Sequence, residues 1–383
     1  MPEFTVLPPL ALYIHLPWCV KKCPYCDFNS HTFNQGLPED EYLNALIEDL
    51  QHQLPNVWGR RVVSVFIGGG TPSLFSAESI HRLISNIRSH LNCLPNMEIT
   101  MEANPGTVEQ AKFNEFYAAG INRLSIGVQS FDDEKLQALG RIHNAAEAHR
   151  AMDVALKAGF EKINLDLMFG LPDQSIEQGL SDLQQAIDLS PQHISWYQLT
   201  IEPNTLFYSQ PPQTPDDDET WEMQLQGQQL LADAGYLQYE VSAYAQAGQQ
   251  CAHNVNYWQF GDYLALGAGA HGKISRSDTA EVQRYWQLRQ PAAYMQAGAR
   301  DKTSDAEIIR PEQMVFEFML NALRLKRGFE VAIFEQHTGL KYDVIQQRVE
   351  KAIDDGLLVR SGSTLAPSEQ GYIFLNDLIN RFS

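Results

Sequence analysis

The segment that decides the fold is YIHLPWCVKKCPYCDF at residues 13–28. It begins inside an apolar run, ALYIHL at 11–16, whose β-branched and aromatic composition predicts a buried strand. Cys19, Cys23 and Cys26 follow in the pattern C-x₃-C-x₂-C. Parallel α/β folds place their chemistry at the carboxyl ends of strands, so this loop is predicted to carry a metal or redox site.

Five further segments share the composition of that first strand. They are VVSVFI (62–67), MEITME (97–102), NRLSIGV (122–128), EKINLDLM (161–168) and HISWYQL (193–199). Segments with helical spacing alternate with them, among them EDEYLNALIEDL (39–50), AESIHRLISNIRSHL (77–91) and AAEAHRAMDVALKAG (145–159). The alternation predicts βαβ units and a parallel sheet. Six units are two short of a (β/α)₈ barrel, so we predict an incomplete (β/α)₆ TIM-like barrel over residues 1–210.

The rest of the chain divides into two predicted regions. Residues 211–310 are predicted as an extension of the barrel and a linker. Within them, QPPQTPDDDE (210–219) reads as an exposed connection, the stretch from 220 to 235 as a helix and YLQYEVSAYA (236–245) as a strand. Residues 311–383 suggest three or four short helices and a small hairpin, which we interpret as a separate winged-helix-like C-terminal domain. Beyond the basic cluster Arg324, Lys326 and Arg327 it has little basic character, which favours packing or partner contact over DNA binding.

Composition narrows the function classes. The 383 residues are 44% hydrophobic and 20% charged, as in globular proteins with a sizeable core. A formal net charge of −19 argues against broad binding of nucleic acid or anionic membranes. The chain has no long apolar run, and MPEFTVLPPL at its start lacks the features of a secretory signal, so we expect a cytoplasmic protein. Three of the five cysteines are clustered, which favours a cytosolic metal or redox site over disulfides.

Three thiolates in one short loop can hold three corners of a [4Fe–4S] cluster and leave the fourth iron open to a small molecule. A structural zinc would need a fourth ligand of matching character. Cys93 and Cys251 are far from the motif in sequence, and His15 lies on the preceding strand. The cluster is therefore favoured, with structural zinc and inert thiols as the alternatives.

Residues 13–28 resemble the signature of the radical S-adenosylmethionine (SAM) superfamily and, in detail, its anaerobic coproporphyrinogen oxidase branch. The likeness extends into the C-terminal domain. It implies a [4Fe–4S] cluster on Cys19, Cys23 and Cys26, whose open iron chelates SAM. An electron from the cluster then cleaves the sulfonium bond to give a 5′-deoxyadenosyl radical.

The resemblance also implies SAM-binding residues at or near strand ends. These are Tyr13, Gly69, Gly70, Thr71, Glu102, Gln129, Arg141 and Asp166. The family uses some of these positions for a second SAM molecule. Glycines permit close backbone approach to a ligand, and Thr71 is expected to cap the following helix. Taken singly, each residue is as consistent with a turn, a surface cap or a salt bridge as with SAM binding.

Two departures from the oxidase pattern point to a sister group. The oxidase has a fourth cysteine two residues after the third, where this chain has Phe28. The oxidase also has an N-terminal extension before its first strand, where this chain has only about ten residues. Both departures match the HemW group, whose members are proposed to be haem chaperones that bind haem and pass it to apo-haemoproteins.

A second motif also resembles one found in the HemW group. HNVNYW at 253–258 resembles its H-N-x-x-Y-W motif, which implies His253 as an axial ligand of haem, with Tyr257 and Trp258 flanking the macrocycle. Asn254 is expected to orient the imidazole, and a helix here would put His253 and Tyr257 on one face. The alternative is a buried structural histidine beside a core tryptophan. His271 is a weaker candidate ligand.

Two functions remain at this point. The first is a haem chaperone that carries a [4Fe–4S] cluster and SAM. The second is a radical enzyme that acts on coproporphyrinogen or another tetrapyrrole. The first implies acceptor haemoproteins such as respiratory cytochromes, an electron donor for the cluster, and peripheral contact with the membrane during delivery. No nucleic acid is expected, and the sequence leaves homodimerisation open.

Overall fold

A computed structural model of the protein describes residues 2–33, 36–107 and 110–383. Its strands up to residue 308 are, in chain order, β1 (Leu10–Leu16), β2 (Trp18–Cys19), β3 (His31–Thr32), β4 (Arg61–Gly69), β5 (Asn92–Ala103), β6 (Arg123–Gln129), β7 (Ile163–Phe169), β8 (His193–Gln198), β9 (Leu237–Glu240), β10 (Ala243–Ala245), β11 (Asp262–Leu266), β12 (His271–Arg276), β13 (Glu281–Gln287) and β14 (Thr303–Ile308).

Helices cover the sheet and connect its strands. Up to residue 296 they are α1 (Glu39–Gln53), α2 (Ala77–His90), α3 (Gln110–Ala119), α4 (Asp133–Ala138), α5 (Ala145–Lys157), α6 (Ile176–Asp188), α7 (Leu206–Ser209), α8 (Asp217–Asp233), α9 (Ala252–Trp258) and α10 (Pro291–Gln296). The helices predicted from the apolar spacing correspond to α1, α2, α5 and α8, so these predictions are confirmed.

The six predicted strands form the parallel centre of one sheet, in the order β1-β4-β5-β6-β7-β8. Both faces of a parallel sheet are covered by other parts of the protein. The apolar side chains of β1 are accordingly at most 1% exposed: Leu10, Leu12, Ile14 and Leu16. The complete order runs from β14 at one edge to β9 at the other without closing. The predicted incomplete barrel is confirmed.

Residues 211–310 add strands at both edges of this sheet. β11 pairs in parallel with β1, and β12, β13 and β14 follow in antiparallel order. The single strand predicted at 236–245 is wrong: β9 and β10 are two antiparallel strands. The backbone N–H of Ser242 donates to the Glu240 carboxylate (3.0 Å) and stabilises the turn between them.

The C-terminal region has its own core. Its elements are α11 (Pro311–Ala322), β15 (Phe329–Glu330), α12 (Val331–Thr338), α13 (Asp343–Asp354), β16 (Leu358–Ser361), β17 (Thr364–Pro367), α14 (Glu369–Ile373) and α15 (Leu375–Asn380). Phe318 contacts Phe329 and Phe334 at the centre, and Phe260 from the barrel side also packs against Phe318. The three helices α11, α12 and α13 followed by the β16–β17 hairpin agree with the predicted winged-helix-like pattern. The described region has five helices where three or four were predicted, because α14 and α15 follow the hairpin. Across the described ranges, every helix is too short or too polar to cross a bilayer.

Candidate functional site

Two cavities open at the carboxyl ends of the parallel strands and share part of one wall. The first has a volume of about 680 Å³ and the second about 900 Å³. The first is lined by all three motif cysteines and by seven of the eight predicted SAM residues. These are Cys19, Cys23, Cys26, Gly69, Gly70, Thr71, Glu102, Gln129, Arg141 and Asp166.

Each motif cysteine has a polar neighbour. The Thr71 hydroxyl donates to Cys19 Sγ (3.5 Å), Arg141 Nη1 donates to Cys23 Sγ (3.7 Å), and Ser30 Oγ lies 3.8 Å from Cys26 Sγ. Burial raises the pKa of the Cys19 and Cys26 thiols. Iron must therefore displace their protons when it binds, and the donors then stabilise the resulting thiolates.

A run of three glycines at the end of β4, Gly68 to Gly70, lies directly against the cysteine loop. A Cβ on Gly70 would come within 2.5 Å of the Trp18 carbonyl oxygen, so only glycine fits this approach. The expected cap by Thr71 is wrong: its side chain makes no cap hydrogen bond, and Ser76 caps α2 instead. The Thr71 hydroxyl points to Cys19, which ties the glycine run to the cysteine motif.

Two buried carboxyl groups face the first cavity. Burial, and then the charge of Asp166, raise the pKa of Glu102 to about 7, although the Gly69 N–H donates to it (3.0 Å). Burial also raises the pKa of Asp166, which accepts from Ser125 (2.7 Å) and Asn164 (2.8 Å). A cationic ligand would relieve the repulsion between these groups.

Gln129 and Arg141 complete the first cavity. Gln129 has a left-handed backbone (φ 70°) and accepts from the Tyr197 hydroxyl (2.8 Å). Such a conformation is uncommon outside glycine and is typical of functional sites. The buried Nε of Arg141 has no partner among the described residues. Three thiols, two carboxyl groups and a free guanidinium nitrogen fit an iron–sulfur cluster beside a ligand with both charges, such as SAM.

Cys251 was expected to be remote from the motif, but it also lines the first cavity. Its Sγ lies 3.5 Å from Glu98 Oε1, and burial raises the pKa of the thiol to about 12. Cys251 is therefore held as a neutral thiol. All five cysteines are free.

The second cavity is largely aromatic. Its rings come from Tyr13, Phe28, Phe66, Tyr257, Trp258, Tyr263, Trp286 and Phe316. The residues that line both cavities, which we call the common wall, are Phe28, Phe66, Gly69, Glu102, Asn254 and Trp258. Tyr13 lines the second cavity and not the first, with its hydroxyl 2.9 Å from His15 Nδ1. Its predicted contact with SAM stays a prediction.

The H-N-x-x-Y-W segment is helical, as α9, so His253 and Tyr257 do share a face. His253 is 8% exposed, lines the second cavity and packs on Phe66, with ring centroids 5.1 Å apart. Burial lowers its pKa to about 4, so the imidazole is neutral at physiological pH. The expected partner Asn254 is wrong: Ser64 Oγ lies 3.3 Å from His253 Nδ1, and Asn254 belongs to the common wall.

The other haem candidates also line the second cavity. Tyr257 packs edge-on against Trp258, and the Arg324 guanidinium lies 4.3 Å from the Trp258 ring centroid. His271 is exposed and contacts Trp286 (5.8 Å between centroids).

Sequence reasoning missed the wall of the second cavity that α11 contributes, including Phe316 and Glu317. It also missed Arg284 on β13. The apolar spacing of α11 was the available signal, but it does not specify what the helix faces.

Comparisons with known proteins identify the family. The family model of the radical SAM superfamily matches residues 13–183, and that of the HemN C-terminal domain matches residues 309–374. The chain is 51% identical to "Heme chaperone HemW" of Haemophilus influenzae, over 98% of each protein, and 50% identical to that of Escherichia coli, again over 98% of each. It is 35% identical to the mouse protein "Radical S-adenosyl methionine domain-containing protein 1, mitochondrial", over 96% of this chain and 86% of that protein.

Among solved structures, the chain resembles coproporphyrinogen III oxidase (HemN) from Escherichia coli. The TM-score is 0.83 with 22% identity, over 98% of this chain and 90% of that one. This likeness shows the fold of the barrel and its C-terminal domain.

Proposed function

Because the chain belongs to the HemW group of haem chaperones within the radical SAM superfamily, we propose that it binds haem in the second cavity and transfers it to acceptor haemoproteins. The observation that carries this proposal is the buried, neutral His253 in the wall of a large aromatic cavity. Neutral imidazole is a common axial ligand of haem iron, and aromatic rings suit a flat apolar macrocycle.

The first cavity is proposed to hold the [4Fe–4S] cluster on Cys19, Cys23 and Cys26, with SAM beside it. When bound, the cluster and SAM supply one-electron cleavage of the sulfonium. The residues of this chain orient SAM and shield it from water. Glu102 and Asp166 attract the positive groups of SAM, the unpartnered Nε of Arg141 can donate to its carboxylate, and Gly70 brings backbone close to the ligand.

The pKa of Glu102 predicts how SAM binding depends on pH. Its carboxyl group is mostly protonated at pH 6 and mostly ionised at pH 8, and only the ionised form attracts the cationic ligand. We expect affinity to rise about tenfold from pH 6 to pH 8 in reconstituted protein, measured by isothermal titration calorimetry. Glu102→Gln should bind SAM more weakly and lose most of that rise. An equally steep rise in the variant would assign the proton to the ligand or to another residue.

The function is tested with anaerobically reconstituted protein. Haem titration should give a Soret band, and adding an apo-cytochrome should move that band to the acceptor. The sample should be assayed separately for 5′-deoxyadenosine. Failure of haem to bind, or anaerobic conversion of coproporphyrinogen by the wild type, would overturn the proposal.

The second candidate function is oxidation of a tetrapyrrole by the radical SAM machinery. It is favoured by the assembly of seven predicted SAM residues around one cavity. Phe28 counts against it, because a 59% exposed apolar ring stands in the common wall where the oxidase pattern has a cysteine.

The chaperone proposal includes the partners that such a role needs: acceptor haemoproteins such as respiratory cytochromes, and an electron donor for the cluster. We place the protein in the cytoplasm, where free thiols persist, with peripheral membrane contact when the acceptor is membrane-bound.

A further inference from the structure

The described lining of the second cavity includes one permanently charged cationic side chain. Among the described residues that line it, Arg284 is the only lysine or arginine, and the carboxyl groups are those of Glu102 and Glu317. Haem carries two propionate carboxylates on one edge of an otherwise apolar ring. A carboxylate that loses water on binding is stabilised by a nearby cation, so a cation in the lining marks the place where that edge can lie.

The Arg284 guanidinium has N–H groups that are available for a further hydrogen bond. It projects from β13 with 26% of its side chain exposed, and its Nη2 donates to Glu317 on α11 (2.6 Å). Its buried Nε has no partner among the described residues. A guanidinium has five N–H donors in a planar fork, so it can hold one carboxylate and still bind a second.

The Glu317 end of this pair is also fixed. Gln313, one turn earlier on α11, donates to Glu317 Oε1 (3.1 Å), while Arg284 takes Oε2. Arg284 is thus held between the sheet and the C-terminal domain before any ligand binds. A preorganised donor loses little conformational entropy on binding.

Resting on the proposed function, we propose that Arg284 binds a propionate carboxylate of haem through its free N–H groups while Glu317 holds the guanidinium in place. His253 then fixes the iron and Arg284 fixes the acidic edge, so the site selects tetrapyrroles that keep a free carboxylate.

The test compares haem with haem dimethyl ester, in which both propionates are esterified, using Soret titrations on full-length protein. The wild type should bind haem about tenfold to a hundredfold more tightly than the ester, the range expected for a charge-assisted hydrogen bond. Arg284→Gln should bring haem affinity down to that of the ester and leave ester affinity unchanged. Unchanged ester affinity also shows that the variant is folded.

The matched control is Arg276→Gln. Arg276 lies on the adjacent strand β12, donates to Asn56 (2.7 Å) and is outside the residues that line the two cavities. This variant should keep the wild-type ratio of haem to ester affinity.

Equal affinity of the wild type for haem and ester, or a wild-type ratio in Arg284→Gln, would overturn the inference and leave the chaperone proposal standing. Failure of the wild type to bind either ligand would overturn both. If Arg284→Gln binds neither ligand, the double variant Arg284→Gln/Glu317→Gln decides, because it removes the carboxylate that the single variant leaves without its partner. A reduced ratio in that variant supports the inference, and a wild-type ratio overturns it.

Discussion

Replacing Cys19, Cys23 and Cys26 together by alanine is expected to abolish cluster binding. The broad iron–sulfur absorbance in the visible range should disappear, and bound iron and sulfide should fall to background. The reason is the donor set: these three thiols line one cavity, each beside a polar donor. The measurement is anaerobic reconstitution followed by absorption spectroscopy and by iron and sulfide analysis.

Cys93→Ala is the control for that loss. Cys93 lies near the amino end of β5, and its Sγ donates to the Ile87 carbonyl (4.0 Å), so the cluster should survive its removal. Cys251→Ser should also keep the cluster, because the Cys251 thiol is held neutral beside Glu98. Iron and sulfide retained in the triple variant would refute the assignment of the cluster to this loop.

His253→Ala is expected to weaken haem binding by more than about 100-fold, or to displace the Soret band, with the cluster spectrum intact. Loss of an outer partner of a metal ligand typically costs about 10–100-fold in affinity, and loss of the ligand itself should cost more. Ser64→Ala removes the hydroxyl beside His253 Nδ1, so it should weaken haem affinity by only about 10–100-fold. Haem titrations of the two variants test this order.

The pH dependence gives a second check on His253. Its pKa of about 4 means that the imidazole is already neutral at pH 6, so haem affinity should be level from pH 8 to pH 6. Below that range protons compete with iron for the same nitrogen, and affinity should fall as the pH approaches 4. If His253→Ala binds haem with unchanged spectrum and affinity, the ligand lies elsewhere and His271 is the next residue to replace.

The barrel and the cysteine loop could be predicted from the sequence because their signals are local. Composition identified six of the seven strands in the parallel part of the large sheet and missed β11, which pairs in parallel with β1. The cysteine spacing predicted a loop in which three thiols share a cavity. Side chains alternate between the two faces of a strand, so Tyr13 and His15 share one face. The sequence does not say which face meets which cavity, and Tyr13 lies in the second one.

The second cavity could be predicted only in part. His253, Tyr257 and Trp258 were identifiable as a short motif, but their neighbours come from distant parts of the chain. Arg284 meets Glu317 only because β13 extends the sheet beneath α11. The hydroxyl beside His253 belongs to Ser64 on β4, which no local pattern connects to α9. Such contacts depend on how the elements pack, and periodicity does not encode that.

The common wall has a thermodynamic consequence. If a ligand in one cavity shifts Phe28 or Trp258, it changes the free energy of binding in the other, and this coupling free energy is the same in both directions. A tenfold effect of SAM on haem affinity would correspond to about 1.4 kcal/mol and would require haem to change SAM affinity tenfold. One haem titration with SAM and one without it therefore measures both effects.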